Sequence, residues 1–432
     1  MPNLDEALNI ILGQISPLGV ERVDLQSALG RVLARDLTAP WDLPHYDNSA
    51  RDGFALRSAD CTTEGTTLRI SGFIPAGGSM STPVLGGCAV RITTGAPIPH
   101  NCDAVVPMED TLELDGQVTV MAPVRSGQHI RFRAEDVANG DIVLTAGTVI
   151  QSQEISLLAS FGKAMVPVFR KARVAVLSTG DELIELGEQP SSGRVINSNA
   201  QYLAAALREI GAEPLLLSIA RDNRESLKEQ LQAGLKADAL ITTAGVSAGA
   251  RDFVRDVLAE LGVRQMLWAV DIKPGGPKYF GMKKTTPVFS LPGKPMSTMV
   301  TFEEFVRPAL LRMMGHRRVI RPYVTARLRV DIHKKPGRVH CQSVRVEVES
   351  GRYIVISTGD HEEGRLRTMQ RANAIAMLPK GPSLVAAGEE VAVHLLRGDL
   401  ALLEEPAPVA GCDSRLPETE GTFGGKVRVA AR

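Results

Sequence analysis

The 432-residue sequence is short of several things, and each shortage removes a class of function. It has no net charge: 49 lysines and arginines balance 49 aspartates and glutamates, so no global field favours nucleic acid or an anionic membrane. Any anionic ligand must therefore be held locally. The five cysteines, Cys61, Cys88, Cys102, Cys341 and Cys412, form no C-x-x-C pair and have no histidine at zinc spacing, so a reducing cytoplasmic setting is expected. The first residues, MPNLDEALNIILGQI, carry acids inside an amphipathic pattern, and neither a signal peptide nor a membrane span is expected. No G-x-G-x-x-G follows the first strand of the αβ-patterned region and no G-x-x-x-x-G-K-[ST] occurs, which argues against dinucleotide and P-loop chemistry. The eight histidines are dispersed, and no Ser/His/Asp or Cys/His arrangement can be assembled around them.

What remains is an ordinary folded composition, 44% hydrophobic and 23% charged, in a chain long enough for roughly two to four domains. Leu4, Leu8, Ile11, Leu12 and Ile15 recur at helical spacing and predict a packing helix. Residues 41–140 turn rich in Gly, Pro, Thr and Ser around short β-type runs (TLRISGF, CAVRI, DAVVPM), and read as a β-rich module inserted between two parts of a helical/β support domain, residues 1–40 and 141–170. Over 171–320, apolar runs (ARVAVLS, PLLLSIA, DALITT, QMLWAV, PVFSL) alternate with amphipathic stretches, the pattern of βαβ units in a doubly wound parallel sheet. Residues 321–402 alternate as strands and predict a C-terminal β-barrel or sandwich, and the turn-rich residues 403–432 predict a disordered tail. The expected fold class is α/β multidomain.

In a doubly wound sheet, ligands gather beyond the carboxyl ends of the strands. Four loops fall there: Ser178-Thr179-Gly180-Asp181-Glu182, Ala244-Gly245-Val246-Ser247-Ala248-Gly249, Lys273-Pro274-Gly275-Gly276-Pro277-Lys278 and Pro292-Gly293-Lys294-Pro295. Small residues let backbone approach a ligand, and unpaired N–H groups at a following helix attract phosphate. One such turn is more often structural punctuation, whereas four at one edge point to a ligand. The same edge gathers Asp181, Glu182, Asp222 and Asp252, and the inserted module adds Asp52 and Asp136. Acids beside a phosphate-binding surface repel the ligand unless a hard cation bridges them, and Mg2+ is the usual bridge. The competing structural reading is that acids near helix starts are caps, and for Asp252 the two readings weigh equally.

Read together, DLPHYDNSARDGFAL (42–56), RITTGAPIP (91–99), DAVVPMED (103–110), HIRFRAEDV (129–137), STGDEL (178–183), AGVSAGARDF (244–253), IKPGGP (272–277) and LPGKPMS (291–297) resemble the molybdopterin molybdenumtransferases, the family that includes the carboxyl-terminal domain of gephyrin. The resemblance runs from about residue 3 to 400. It implies a four-domain homodimer whose α/β sheet domain is of molybdopterin-binding type. The implied reaction takes adenylylated molybdopterin and molybdate, inserts the metal at the dithiolene and releases AMP, with Mg2+ present. On the matching positions, Asp52, Asp136, Glu182, Asp222 and Asp252 are the implied catalytic residues, the last three as cation ligands. Thr94, Arg131, Thr179, Gly180, Gly245, Ser247, Lys273, Pro292 and Pro295 are the implied cofactor-binding set, with Asp52, Thr94 and Asp136 acting across the dimer interface. An adenylyltransferase that supplies the nucleotide, or a molybdoenzyme that receives the product, is an expected partner.

The departures from the family pattern fall on the anion site. The family's N-S-A-M-D-G carries Arg51 here, G-G-V-S carries Ala244, and P-G-N-P carries Lys294. K-P-G-K-P becomes Lys273-Pro274-Gly275-Gly276-Pro277, with Ala269 at a position that is often basic. R-x-x-F-x-R becomes Arg338 to Ser343, and Q-G-S-G-x-L, near residues 361–366, places Glu363 at its serine. An oxyanion needs convergent cations and N–H donors, so an altered molybdate pocket is expected, with Lys278 and Lys294 as candidate replacements. Two readings stand: an active transferase with a rearranged anion site, or a paralogue that binds the pterin as carrier or regulator without inserting metal. An amidohydrolase-like activity on pyridine nucleotides has only domain-level analogy behind it.

Overall fold

The computed structural model describes residues 1–79, 83–244, 253–275, 279–356 and 366–396. The expectations placed on Gly245, Ser247, Asp252, Gly276, Lys278, Glu363 and the tail from 403 onward lie outside the described residues.

Four parallel strands form the centre, in the order Glu213–Leu216, Arg173–Ser178, Ala239–Thr243, Thr286–Leu291. Side chains alternate between the two faces of each strand, and both faces are covered. Val174, Val176, Ile241 and Phe289 pack with Leu203 and Leu207 of the helix Ser198–Glu209. Ala175, Leu177, Leu240 and Val288 pack with Leu227 and Leu231 of Arg224–Gly234 and with Val257 and Leu258 of Val254–Glu260. Burial on both sides is why the three inner strands read as unbroken apolar runs, whereas the edge strand Glu213–Leu216 is mostly exposed. Each fully buried leucine or valine contributes about 1.5–3 kcal/mol, before the entropy of ordering is subtracted.

The sheet continues past Thr286–Leu291 with Tyr279–Lys283 and then Arg264–Leu267, both joined antiparallel to their neighbours. The strand Tyr279–Lys283 was not among the expected elements, and it makes the sheet mixed at this edge. Its cause is local: only Lys284 and Thr285 separate it from Thr286–Leu291 in the register, with Lys284 at φ 54°, and a link this short joins antiparallel strands.

The predicted first helix spans Leu4–Gly13, opened by a capping box between Asn3 and Glu6. Its buried residues Leu4, Ala7 and Ile11 share the core beneath the sheet with Phe302 and Leu310. Those last two belong to a continuous helical run from Pro295 to Met313, α-helical to Thr301, π-helical over Phe302–Val306 and α-helical again from Arg307.

Val20–Asp24 pairs with Met165–Phe169, and Leu37–Thr38 with Ile142–Leu144, so the segments that flank the β module are stitched to each other around a small core of Leu33, Leu158 and Val166. The module itself is a six-stranded sheet built from residues 53–120. After Arg321 the chain closes a five-stranded barrel: Tyr323–Leu328, Val339–Glu349, Arg352–Ile356, Ala374–Leu378 and Glu390–Leu395, with Val339–Glu349 paired to both of its ring neighbours. Its interior is Ala326, Val344, Val346, Ala376 and Val393.

Barrel and central sheet meet along a defined seam. Ile272–Lys273 adds as a parallel strand to Val339–His340. Asp271 pairs with Lys380 at 2.8 Å and with Arg338 at 3.4 Å. On the other side, buried His394 meets buried Glu304 at 2.8 Å, and Arg321 meets Glu303 at 3.1 Å.

Candidate active site

Because the four central strands are parallel, their carboxyl ends emerge at one edge, where Thr179, Ala244 and Pro292 follow directly. A buried chain of hydroxyl and amide groups organises this edge. Thr243 Oγ1 donates to Ser178 Oγ at 3.0 Å, and Ser178 Oγ donates to Asn197 Oδ1 at 2.9 Å. Asn197 also caps the helix Ser198–Glu209, and Asn199 donates to the Gly293 carbonyl at 2.6 Å. Asn197 and Asn199 were not singled out in the sequence; the position of Asn197 just ahead of a helix, with Asn199 in its first turn, was the available signal.

Thr179 donates its N–H to Thr243, and Gly180 donates to Ala220 at 3.1 Å, while Asp222 N–H donates to Asp181 Oδ1 at 3.2 Å. These bonds bring the 178–182 loop and Asp222 together as the sequence reading required. Gly180 sits at φ 142°, and a Cβ there would strike the Glu182 carboxylate. Only glycine fits. Glu182 is exposed and Asp222 half-buried, and neither is in an ion pair among the described residues. Ala244 takes up a left-handed φ of 65°, the conformation glycine adopts most readily. Pro292 accepts a hydrogen bond from Thr298 at 2.6 Å, and Pro295 stands at the first turn of its helix, both half-buried.

The inserted module forms a second group. Asp52 Oδ1 accepts from Thr94 N–H at 2.6 Å and from Thr94 Oγ1 at 3.0 Å. The Thr94 backbone bond first, and its hydroxyl second, hold the Asp52 carboxyl below the usual carboxylate range. Arg131 lies on a two-residue strand paired to Asn48–Ser49, which places it in the same loop cluster. Asp136 is exposed beside the bridge between Leu43 and Val137. No hydrogen bond or ion pair among the described residues joins this group to Glu182 or Asp222 within one chain.

A third region is anticipated only in part: the resemblance points to Lys273 and to residues 338–343, but not to residues 333–335. Between the sheet and the barrel opens a cavity of about 470 Å³, with Lys273 and Pro274 on one wall and residues 333–335 and 340–343 on the other. Its described lining includes Lys273, His333, Lys334, Lys335 and His340, and no aspartate or glutamate. Lys273 is half-buried. Lys294, expected to replace a missing cation, is exposed at the start of the helix at Pro295 and is not among the lining residues. Ser343, where R-x-x-F-x-R would end in arginine, lines the cavity and donates to Met296 Sδ at 2.7 Å. Burial holds the Cys341 thiol well above its ordinary range, with Glu304 adding to the shift, so no thiolate faces this space. The run His333-Lys334-Lys335 was not singled out in the sequence, and its convergence with Lys273 depends on the pairing of Ile272–Lys273 with Val339–His340.

A parallel sheet with glycine turns and carboxylates at one edge, docked against a barrel across a basic cavity, defines a multidomain α/β protein with a candidate ligand site at the sheet edge. Three families match in succession: the MoeA N-terminal region (domain I and II) over residues 2–162, a probable molybdopterin binding domain over 175–312, and the MoeA C-terminal region (domain IV) over 325–396. The chain is 35% identical to a molybdopterin molybdenumtransferase of Haemophilus influenzae, covering 92% of this chain and all (100%) of that one. It is 33% identical to the Nostoc sp. protein of the same name, covering 91% and 93%. A crystal structure of a molybdopterin biosynthesis MoeA protein from Pyrococcus horikoshii superposes with a TM-score of 0.79 at 30% identity, covering 92% of this chain and 99% of that one. The chain belongs to the molybdopterin molybdenumtransferase family.

Proposed function

We propose that this protein acts in molybdenum cofactor biosynthesis as a transferase that inserts molybdenum from molybdate into the dithiolene of adenylylated molybdopterin and releases AMP. The observation that carries this reading is the meeting of the Thr179–Glu182 loop with Asp222 at the carboxyl edge of the sheet, in a chain that also has a basic cavity at the barrel seam. The backbone at Thr179 and Gly180 approaches the diphosphate, and Pro292 and Pro295 shape the wall beside it.

Among the described residues no cluster of three acids or histidines is preassembled for a metal ion. Glu182 and Asp222 nevertheless fit Mg2+, which is commonly held by one or two carboxylates together with substrate phosphates. Asp252 is their proposed third partner by sequence. When bound, Mg2+ would offset the charge of the diphosphate as AMP departs. The protein's own part is to orient the nucleotide, hold Asp52 ionised through Thr94 and keep molybdate near the dithiolene. Asp52, Thr94, Arg131 and Asp136 complete the site from a second copy of the chain, which makes the homodimer the working unit. The four described cysteines are free, in keeping with a cytoplasmic setting, and no described helix is long and apolar enough to cross a membrane. An adenylyltransferase upstream and a molybdoenzyme downstream are the corresponding partners.

Incubating the purified protein with adenylylated molybdopterin and Mg2+, with and without molybdate, tests the reading. Molybdate-dependent AMP release with metal in the pterin supports it. Tight nucleotide binding without turnover would make the protein a binding paralogue instead.

A further inference from the structure

One side chain in the cavity has no hydrogen-bond partner among the described residues to explain its burial. Lys334 is 9% exposed and lines the wall, and its Nζ has no hydrogen-bond partner among the described residues. Its backbone is fixed: the Lys334 N–H donates to the Ser383 carbonyl at 2.8 Å, and the preceding Ile332–His333 pairs antiparallel with Leu384–Val385. Slipping this register by one residue would exchange Lys334 with its exposed neighbour Lys335, so the ladder selects which lysine faces inward. A buried ammonium is costly unless an anion compensates it. The described lining supplies none, only more basic groups at Lys273, His333, Lys335 and His340.

We propose that Lys334 is the cationic anchor of an oxyanion subsite in this cavity, where it holds molybdate ready for the pterin. The inference rests on the function proposed above and names a residue of this chain for a task that the sequence leaves short of cations, with Gly276 and Ser343 standing where the family pattern has lysine and arginine. An ammonium offers three donors and no acceptor, and as a compact point charge it suits a tetrahedral dianion. The same chemistry would hold a phosphate of the pterin nucleotide, so the test must separate the two sources.

Full-length wild type, Lys334→Met and Lys334→Arg are titrated with molybdate alone by calorimetry and, separately, with the pterin nucleotide alone by fluorescence quenching. Lys334→Met is expected to lose about tenfold or more in molybdate affinity with nucleotide affinity unchanged, and Lys334→Arg to retain most of it. The melting temperature of Lys334→Met should hold or rise, because an uncompensated charge has been removed. Unchanged molybdate affinity in Lys334→Met overturns the proposal, and so does a loss confined to the nucleotide. If Lys334→Met melts early, Lys334→Gln is judged by the same two titrations. Molybdate binding that depends on Lys334 without any AMP release would leave this subsite standing while removing the proposed reaction.

Discussion

On the proposed function the sheet edge and the cavity both take anionic ligands, yet their described side chains carry opposite charges. At the edge stand Glu182 and Asp222, and because the Thr179, Gly180 and Asp222 N–H groups are bonded within the chain, the proposed attraction comes from a cation brought in with the substrate. In the cavity the attraction is resident: Lys273, Lys334 and Lys335 line it with no described carboxylate. The contrast separates two tasks. Under the proposed function, a diphosphate to be cut would be met by groups able to carry a metal ion, and an oxyanion to be held and then surrendered would be met by ammonium groups.

The sharpest way to break this division is Asp222→Ala. AMP release should fall by about a hundredfold or more while molybdate affinity stays unchanged; single-turnover AMP assays beside molybdate titration read both, and unchanged release would remove Asp222 from the mechanism. The converse is Lys273→Met, for which a drop of about tenfold in molybdate affinity is expected with nucleotide affinity preserved. Equal losses of both ligands would merge the two regions into one.

A control lies away from both. Burial alone would raise the Asp238 carboxyl, but hydrogen bonds from Arg170, both at 2.7 Å, and from the Arg173 N–H outweigh it and hold the group below its usual value. Its stabilisation is therefore fully present above the unfolded carboxylate range and is lost as pH falls through the lower folded value. Asp238→Asn should cost about 1–2 kcal/mol in urea titrations at neutral pH, less in acid, with activity per folded molecule intact. The smallest effect expected is for Thr94→Ala, which removes one of two bonds that lower the Asp52 pKa. The acid limb of the pH–rate profile should move to higher pH, and an unmoved limb would detach Asp52 from the rate.

Much of the architecture was legible because periodicity is local. The alternating faces of Arg173–Ser178 and the stripe of Leu4–Gly13 follow from spacing alone. The approach of the 178–182 loop to Asp222 was legible because parallel strands send both of their loops to one edge. The strand Tyr279–Lys283 escaped because only a two-residue turn separates it from the next apolar run, and residues 333–335 of the cavity escaped because exposure is not a local property. Lys334 and Lys335 are chemically identical neighbours, and only pairing with Leu384–Val385 distinguishes them.

The short strand Ile272–Lys273 gives the seam a further meaning. Its ladder partner is Val339–His340 of the barrel, so the position of Lys273 is gauged from the barrel even though its chain leaves the central sheet at Leu267. Side chains alternate along a strand, with Ile272 buried and Lys273 half-buried against the cavity. Residues 268–271 are thus a fixed-length tether between two rulers. Adding or deleting one residue there would present isoleucine to the ligand and lysine to the core, so this stretch should tolerate changes of side chain far better than changes of length.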